Sequence, residues 1–164
     1  MFDGSMYLEL NLKPWRGSRV WKLIKYIKRN KKELKRDKDQ IIYFLSQGDE
    51  QAANHGRYSA LQSIQTYMNI LFEIKKEDKI NFKKKLFSAN RISMFVEFLQ
   101  YQITSIEKEV VICEKLIIND GVHHYFEPYI NARLEVYNEI LEIVLLGQIK
   151  DEDEIYGFDE EDEF

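Results

Sequence analysis

One segment of the sequence restricts the fold more than any other, and it lies between positions 92 and 117. Its apolar residues recur in steps of four and three without exception: Ile92, Val96, Leu99, Ile103, Ile106, Val110, Cys113 and Ile117. This repeat places its members on one side of a helix and is typical of long antiparallel bundles and coiled coils. We therefore predict a long helix over residues 91–118. More than one neighbouring helix is expected, because further apolar side chains widen this surface: Phe95, Phe98, Leu116 and Ile118.

Three other segments also show helical spacing. The first runs from Ser18 to Leu45, with a stop predicted at residues 47–49. The second is centred on residues 58–74, and either breaks at Gly56 or runs back to Glu50. The last extends from about residue 128 to 147. The basic segment 75–85 is expected to be a loop with a short turn, and alternatively Ile80, Phe82 and Leu86 fold onto the core. Four helices with short connections predict an all-α fold, an antiparallel four-helix bundle with long helices.

The two ends of the chain differ from this helical pattern. Met6, Leu8, Leu10 and Leu12 alternate with other residues, and period two predicts a short N-terminal extended arm over residues 1–14, which Pro14 closes. Residues 15–147 form the predicted helical bundle domain. Residues 148–164 form an acidic aromatic-containing C-terminal segment, which we call the acidic tail.

Charge is distributed unevenly along the chain. Residues 1–90 carry 19 Lys and Arg against 10 Asp and Glu, whereas residues 91–164 carry 5 against 18. Such asymmetry indicates an anionic partner or an interaction tail. The alternative is that two oppositely charged, solvated faces attract each other within one bundle.

The predicted first helix carries basic residues on the side opposite its apolar stripe. Because Trp21 and Tyr26 lie close by, this pattern favours single-stranded nucleic acid, with cations on phosphates and rings on bases. The same surface fits an anionic membrane or an acidic protein, and both tryptophans alternatively belong to the core. The predicted nucleic-acid or polyanion-binding residues, which we call the basic ridge, are Lys13, Trp15, Arg16, Arg19, Lys22, Lys25, Arg29, Lys32 and Arg36.

The acidic tail combines nine carboxylates within residues 151–164 with apolar side chains, a pattern typical of docking peptides. The predicted partner-binding residues are Ile155, Tyr156, Phe158 and Phe164. Residues 158–164 resemble the acidic, phenylalanine-terminated tip of bacterial and some phage single-stranded-DNA-binding proteins. The resemblance implies docking of replication or repair partners and competition with nucleic acid. That family binds DNA with a β-barrel, and this helical chain departs from it. Alternatively, the tail mimics nucleic acid or folds back on the basic ridge.

The sequence contains no recognisable constellation of catalytic or metal-binding residues. Nucleophile elbows, phosphate-binding glycine loops and helical Glu-x-x-His pairs are absent from it. Cys113 lies on the apolar repeat, which indicates a buried thiol, and His123 and His124 are adjacent and so point apart. We therefore expect no enzymatic activity, no cofactor and no metal.

Three functions remain as hypotheses. The first is a non-enzymatic binding or scaffold subunit of a larger assembly, which contacts protein partners through arm, basic helix and acidic tail. The second is a nucleic-acid-associated accessory protein of replication or repair. The third is a small acidic inhibitor or immunity-type protein that blocks a basic site. No transmembrane segment is expected, and the composition suggests a viral or bacterial origin, in the cytoplasm, another reducing compartment or a virion.

Overall fold

A computed structural model describes residues 12–41, 48–75, 79–120 and 126–146. Five helices make up most of these residues, which confirms the prediction of a mostly helical protein. In chain order the elements are β1 (Trp15–Arg16), α1 (Gly17–Ile41), α2 (Gly48–Leu71), α3 (Lys79–Lys84), β2 (Leu86–Phe87), α4 (Ala89–Asp120) and α5 (Phe126–Leu146). Within the described ranges no helix is long and apolar enough to cross a membrane.

The long helix predicted over residues 91–118 is present as α4. Its apolar repeat is buried from Ile92 to Ile106, and Val110 packs at the edge of the core. Next to it, on another side of the helix, Val111 is 50% and Ile112 58% accessible. The side chains of Cys113 and Ile117 lie outside the described residues. The repeat therefore predicts the helix over its full length, and its burial is confirmed from Ile92 to Ile106.

All five helices and both strands contribute to one hydrophobic core. Its largest fully buried side chains include Tyr137, Phe72, Phe82 and Phe95. The helix α5 packs antiparallel to α4, since Phe98 contacts Tyr137 and Glu109 pairs with Arg133. These contacts between α4 and α5 hold the two helices in fixed positions relative to each other.

The helices α2 and α5 run parallel and approach each other closely at Gly56. A Cβ atom on Gly56 would lie 2.2 Å from the backbone oxygen of Tyr129. Ala52, Ala60 and Ala132 are also buried along this contact, and the four-residue spacing of the small residues in α2 allows the approach. The helix α2 begins at Gly48 and continues through Gly56. Gly56 therefore marks a helix–helix contact and not a break in the helix.

Most of the segment 75–85, expected to be a loop with a short turn, forms α3, and β2 follows directly after it. Phe82 and Phe87 are buried, and this apolar anchoring orders the segment. The strand β2 pairs antiparallel with β1 and sets Trp15 opposite Phe87. The strand expected over residues 6–12 falls largely outside the described residues, as does the acidic tail. Leu12 packs against the core without regular structure.

Candidate polyanion-binding surface

The structure separates the residues of the predicted basic ridge into exposed and buried groups. Lys25 is only 4% exposed and Trp15 only 5%, so neither side chain is available to a large ligand. Arg29 is half-buried, and the side chain of Arg36 lies outside the described residues. The ridge residues that face solvent are Lys13, Arg16, Arg19, Lys22 and Lys32. The continuous ridge expected along α1 is therefore interrupted.

The aromatic side chains expected to stack on bases lie in the protein interior. Trp21 is 3% exposed, and its ring centroid lies 6.1 Å from that of Phe82 in α3. Tyr26 is 8% exposed, and its hydroxyl donates a hydrogen bond to Glu139 of α5. Because all three rings are buried, Trp15, Trp21 and Tyr26 are not available to stack on bases as expected. In the first three turns of α1 the exposed side chains are Ser18, Arg19 and Lys22.

A direct backbone contact fixes α3 against the start of α1. The amide of Gly17 donates a hydrogen bond of 2.8 Å to the carbonyl oxygen of Lys85. Next to it, the carbonyl of Phe82 occupies the space that a side chain at residue 17 would need. The pairing of Arg16 with Leu86 continues this contact in the sheet. The basic segment after α2 is thereby held beside the basic N-terminal part of α1.

Several cations at this junction lie over the faces of buried aromatic rings. Lys79 and Lys83 of α3 each place the ammonium nitrogen 5.4 Å from the ring centroid of Trp21. Arg19 lies 5.3 Å from the ring of Trp15. A cation over an aromatic face gains electrostatic stabilisation from the ring quadrupole. The two tryptophans thus orient cations at the surface and do not themselves face a ligand.

Two segments without any carboxylate meet in this region. Residues 12–32 contain nine Lys and Arg, residues 79–96 contain five, and neither contains Asp or Glu. The cations that the contacts bring to this end of the protein are exposed or half-buried. We call them the basic surface: Lys13, Arg16, Arg19, Lys22, Lys79, Lys83, Lys84 and Lys85. Concentrated positive charge of this kind attracts polyanions and raises their association rate.

Two large apolar side chains are exposed among these cations. Ile80 of α3 is 71% accessible and Leu86 of β2 is 69% accessible, whereas Phe82 between them is buried. Sequence reasoning missed Lys79 and residues 83–85 as site residues because it assigned them to a loop. The only signal was the apolar residues Ile80, Phe82 and Leu86 within a basic run, which allow the segment to pack on the core but do not show a helical repeat.

A second feature lies between α1 and α2, around a shallow cleft of about 280 Å³. Lys31 bridges the helices here, because its ammonium donates to the side-chain oxygens of Gln62 and Gln65. Burial lowers the pKa of Lys31, whose partners are neutral amides and the ring of Tyr58. This lysine occupies the apolar stripe of α1 and joins two helices. The cleft is lined by Leu34, Lys35, Asn54, His55, Tyr58 and Ser59.

Within the described ranges no group of three or more His, Cys, Asp or Glu side chains is arranged to hold a metal ion. The predicted partner-binding residues Ile155, Tyr156, Phe158 and Phe164 lie outside the described residues. No protein family, curated protein or solved structure shows significant similarity to this chain.

Proposed function

We propose that this chain is a non-enzymatic binding protein whose basic surface holds the phosphate backbone of nucleic acid. The observation that carries the proposal is the junction of two carboxylate-free segments at the start of α1. Lysine and arginine that neutralise phosphates release condensed counterions, and this supplies sequence-independent affinity. Since Trp15 and Trp21 are buried, the binding relies on charge and not on base stacking.

The proposal includes a structural role for the four long helices. In this proposal the four long helices α1, α2, α4 and α5 act as one helical bundle, whose packed core serves as a rigid support. On this support α3 and the β1–β2 pair are fixed through Phe82, Phe87 and Gly17. A rigid support lowers the conformational entropy lost when cations engage a ligand.

A salt series with single-stranded oligonucleotides of mixed sequence tests this function. The unmodified protein is compared with a variant carrying Arg16→Gln, Lys22→Gln and Lys84→Gln, three exposed cations of the basic surface. The logarithm of the association constant should fall linearly with the logarithm of salt concentration. The variant should show a slope shallower by about 2, from about 0.7 for each lost phosphate contact.

The matched control carries Lys35→Gln, Lys108→Gln and Lys115→Gln, which remove the same charge at exposed positions outside the basic surface. This control should keep the slope of the unmodified protein. An equal loss in both variants would attribute binding to net charge and contradict the proposal. Binding to vesicles that contain anionic lipid is measured as a third comparison. Stronger binding to vesicles than to oligonucleotide would favour a membrane surface as the ligand instead.

A scaffold role in a larger assembly is a second candidate. The favouring observation is the exposure of apolar side chains on α4: Met94 44%, Tyr101 71%, Val111 50% and Ile112 58%. Affinity purification from the native host with and without nuclease separates the two candidates. A protein complex that survives nuclease and is lost in a Tyr101→Ser, Ile112→Ser variant supports the scaffold role. Loss of all partners with nuclease supports the nucleic-acid role.

A further inference from the structure

We propose that the acidic tail of this same chain docks on the basic surface, with its aromatic side chains against Ile80 and Leu86. The inference uses the basic surface defined for the proposed function, but it does not require nucleic acid to be the external ligand. The tail then acts as a built-in competitor for the site. The docking segment is residues 151–164, whose position, reach and composition suit the basic surface.

The direction of α5 places the start of the tail at the end of the protein that carries the basic surface. The ring of Tyr137 in α5 lies 6.4 Å from that of Phe98 in α4, and the two helices are antiparallel. Nine residues separate Tyr137 from the last residue of α5, and nine separate Phe98 from the first residue of α4. The end of α5 therefore lies level with the start of α4, which directly follows β2 and the basic surface.

The chain after α5 gives the apolar part of the tail a long reach. From Leu146 to Ile155 there are nine residues, which span at most about 30 Å when fully extended. The whole of α3 measures about 9 Å along its axis. A segment tethered this closely acts at an effective concentration in the millimolar range. Contacts that are individually weak therefore suffice to hold it.

The composition of the tail matches that of the basic surface. Residues 151–164 carry nine carboxylates and no cation, and Tyr156 and Phe158 lie between two acidic runs. The basic surface carries eight cations around two exposed apolar side chains, Ile80 and Leu86. Carboxylates on a basic rim give orientation, and apolar contacts at the centre give affinity. A plain polyanion leaves Ile80 and Leu86 without apolar contacts, whereas the tail supplies them.

Amide chemical shifts of the unmodified protein test the inference without any nucleic acid. The comparison variant replaces the nine carboxylates of residues 151–164 with Asn or Gln at the same chain length. At low salt its amides in residues 15–22 and 79–87 should shift relative to the unmodified protein. Residues 107–115 of α4 serve as the internal control and should not shift. High salt should remove the difference, because the attraction is screened.

Two further measurements test the apolar contacts of the tail and whether it docks within its own chain. An Ile80→Ser, Leu86→Ser variant should lose most of the shift difference, and an unchanged difference would overturn the apolar anchoring. The difference should be independent of protein concentration. Growth with concentration would show that the tail of a second copy docks, which contradicts docking within one chain.

Oligonucleotide binding then separates this inference from the proposed function. The tail variant should bind single-stranded oligonucleotide several-fold more tightly than the unmodified protein. Binding without any shift difference would overturn tail docking and leave the proposed function standing. A shift difference without oligonucleotide binding by either protein would overturn the proposed function and leave tail docking standing.

Discussion

The carbonyl oxygen of Phe82 lies 1.8 Å from the position that a Cβ atom would take on Gly17. Two backbones are therefore in direct contact where α1 begins, and only glycine allows this approach. The Gly17 amide bonds to the carbonyl of Lys85 at the same place. Four lysines of the basic surface lie on this segment, so its position depends on one small residue.

We predict that Gly17→Ala destabilises the protein by about 1–3 kcal/mol, the usual cost of forcing extra atoms into a packed site. The obstructing atoms are backbone, which shifts only if α3 moves away from α1. Urea denaturation measures the free energy of unfolding. The neighbouring Ser18→Ala change is the control, because Ser18 is exposed. Equal stability of the Gly17→Ala and Ser18→Ala proteins would contradict the contact.

We predict that Leu99→Ala or Ile106→Ala lowers the free energy of unfolding by about 2–5 kcal/mol. Leu99 is 0% and Ile106 1% exposed, so each substitution leaves a cavity in the core. Val111→Ala on the same helix is the matched control, because Val111 is 50% exposed, and it should change stability by less than about 0.5 kcal/mol. Denaturant titration checks both. A small effect at Leu99 would mean that the apolar repeat faces a partner.

The long helices follow from periodicity because burial on one side imposes a repeat of apolar residues. That signal predicts α4 to within two residues at each end. The position of α3 does not follow from it, since a six-residue helix has too few turns to show a repeat. The contact of Gly17 with Phe82 joins residues 65 positions apart, and spacing within a segment carries no information about such a pair.

Contacts between distant residues, which spacing does not predict, also explain why part of the predicted basic ridge is buried. Helical geometry correctly places Lys22 and Lys32 at the surface, because the apolar stripe sets the opposite side of α1. It also assigns Lys25 to that surface, although the tertiary contacts of α1 bury this residue. A cation in a charged stripe is assumed to be solvated until a second element is known to cover it. The sequence alone does not contain that covering contact.

We predict that Tyr137→Phe changes the alkaline stability of the protein. Burial raises the pKa of Tyr137 above its ordinary value of 10, although a hydrogen bond with Ser63 opposes the shift. The folded state therefore keeps the proton to higher pH than the unfolded state. The associated stability is complete below pH 10 and is lost as pH rises through the folded pKa.

The phenylalanine variant cannot ionise at this position. Between neutral pH and pH 10 it should be less stable than the unmodified protein by about 1 kcal/mol, from the lost hydrogen bond. Above pH 10 this difference should shrink, because only the unmodified protein loses stability by ionising. Urea titrations of both proteins across this range measure it. A constant difference would show that the Tyr137 pKa is the same in both states.

The last prediction concerns two lysines of α1 that are three residues apart. Lys22 is exposed on the basic surface, whereas Lys25 is 4% exposed. Lys22→Ala should reduce the salt slope for oligonucleotide by about 0.7 and change stability by less than about 0.5 kcal/mol. Lys25→Ala should keep the slope. It should also cost about 2 kcal/mol, because three buried methylenes contribute about 0.8 kcal/mol each.

The two substitutions thus give opposite results if the basic surface lies across α1 and α3. The measurements are salt-series anisotropy with a single-stranded oligonucleotide and urea denaturation of the same preparations. Binding is measured well below the denaturation midpoint, so that loss of folded protein does not imitate loss of affinity. Suppose instead that Lys25→Ala reduces the slope as much as Lys22→Ala does. The ligand would then follow the length of α1, and α3 would not belong to the binding surface.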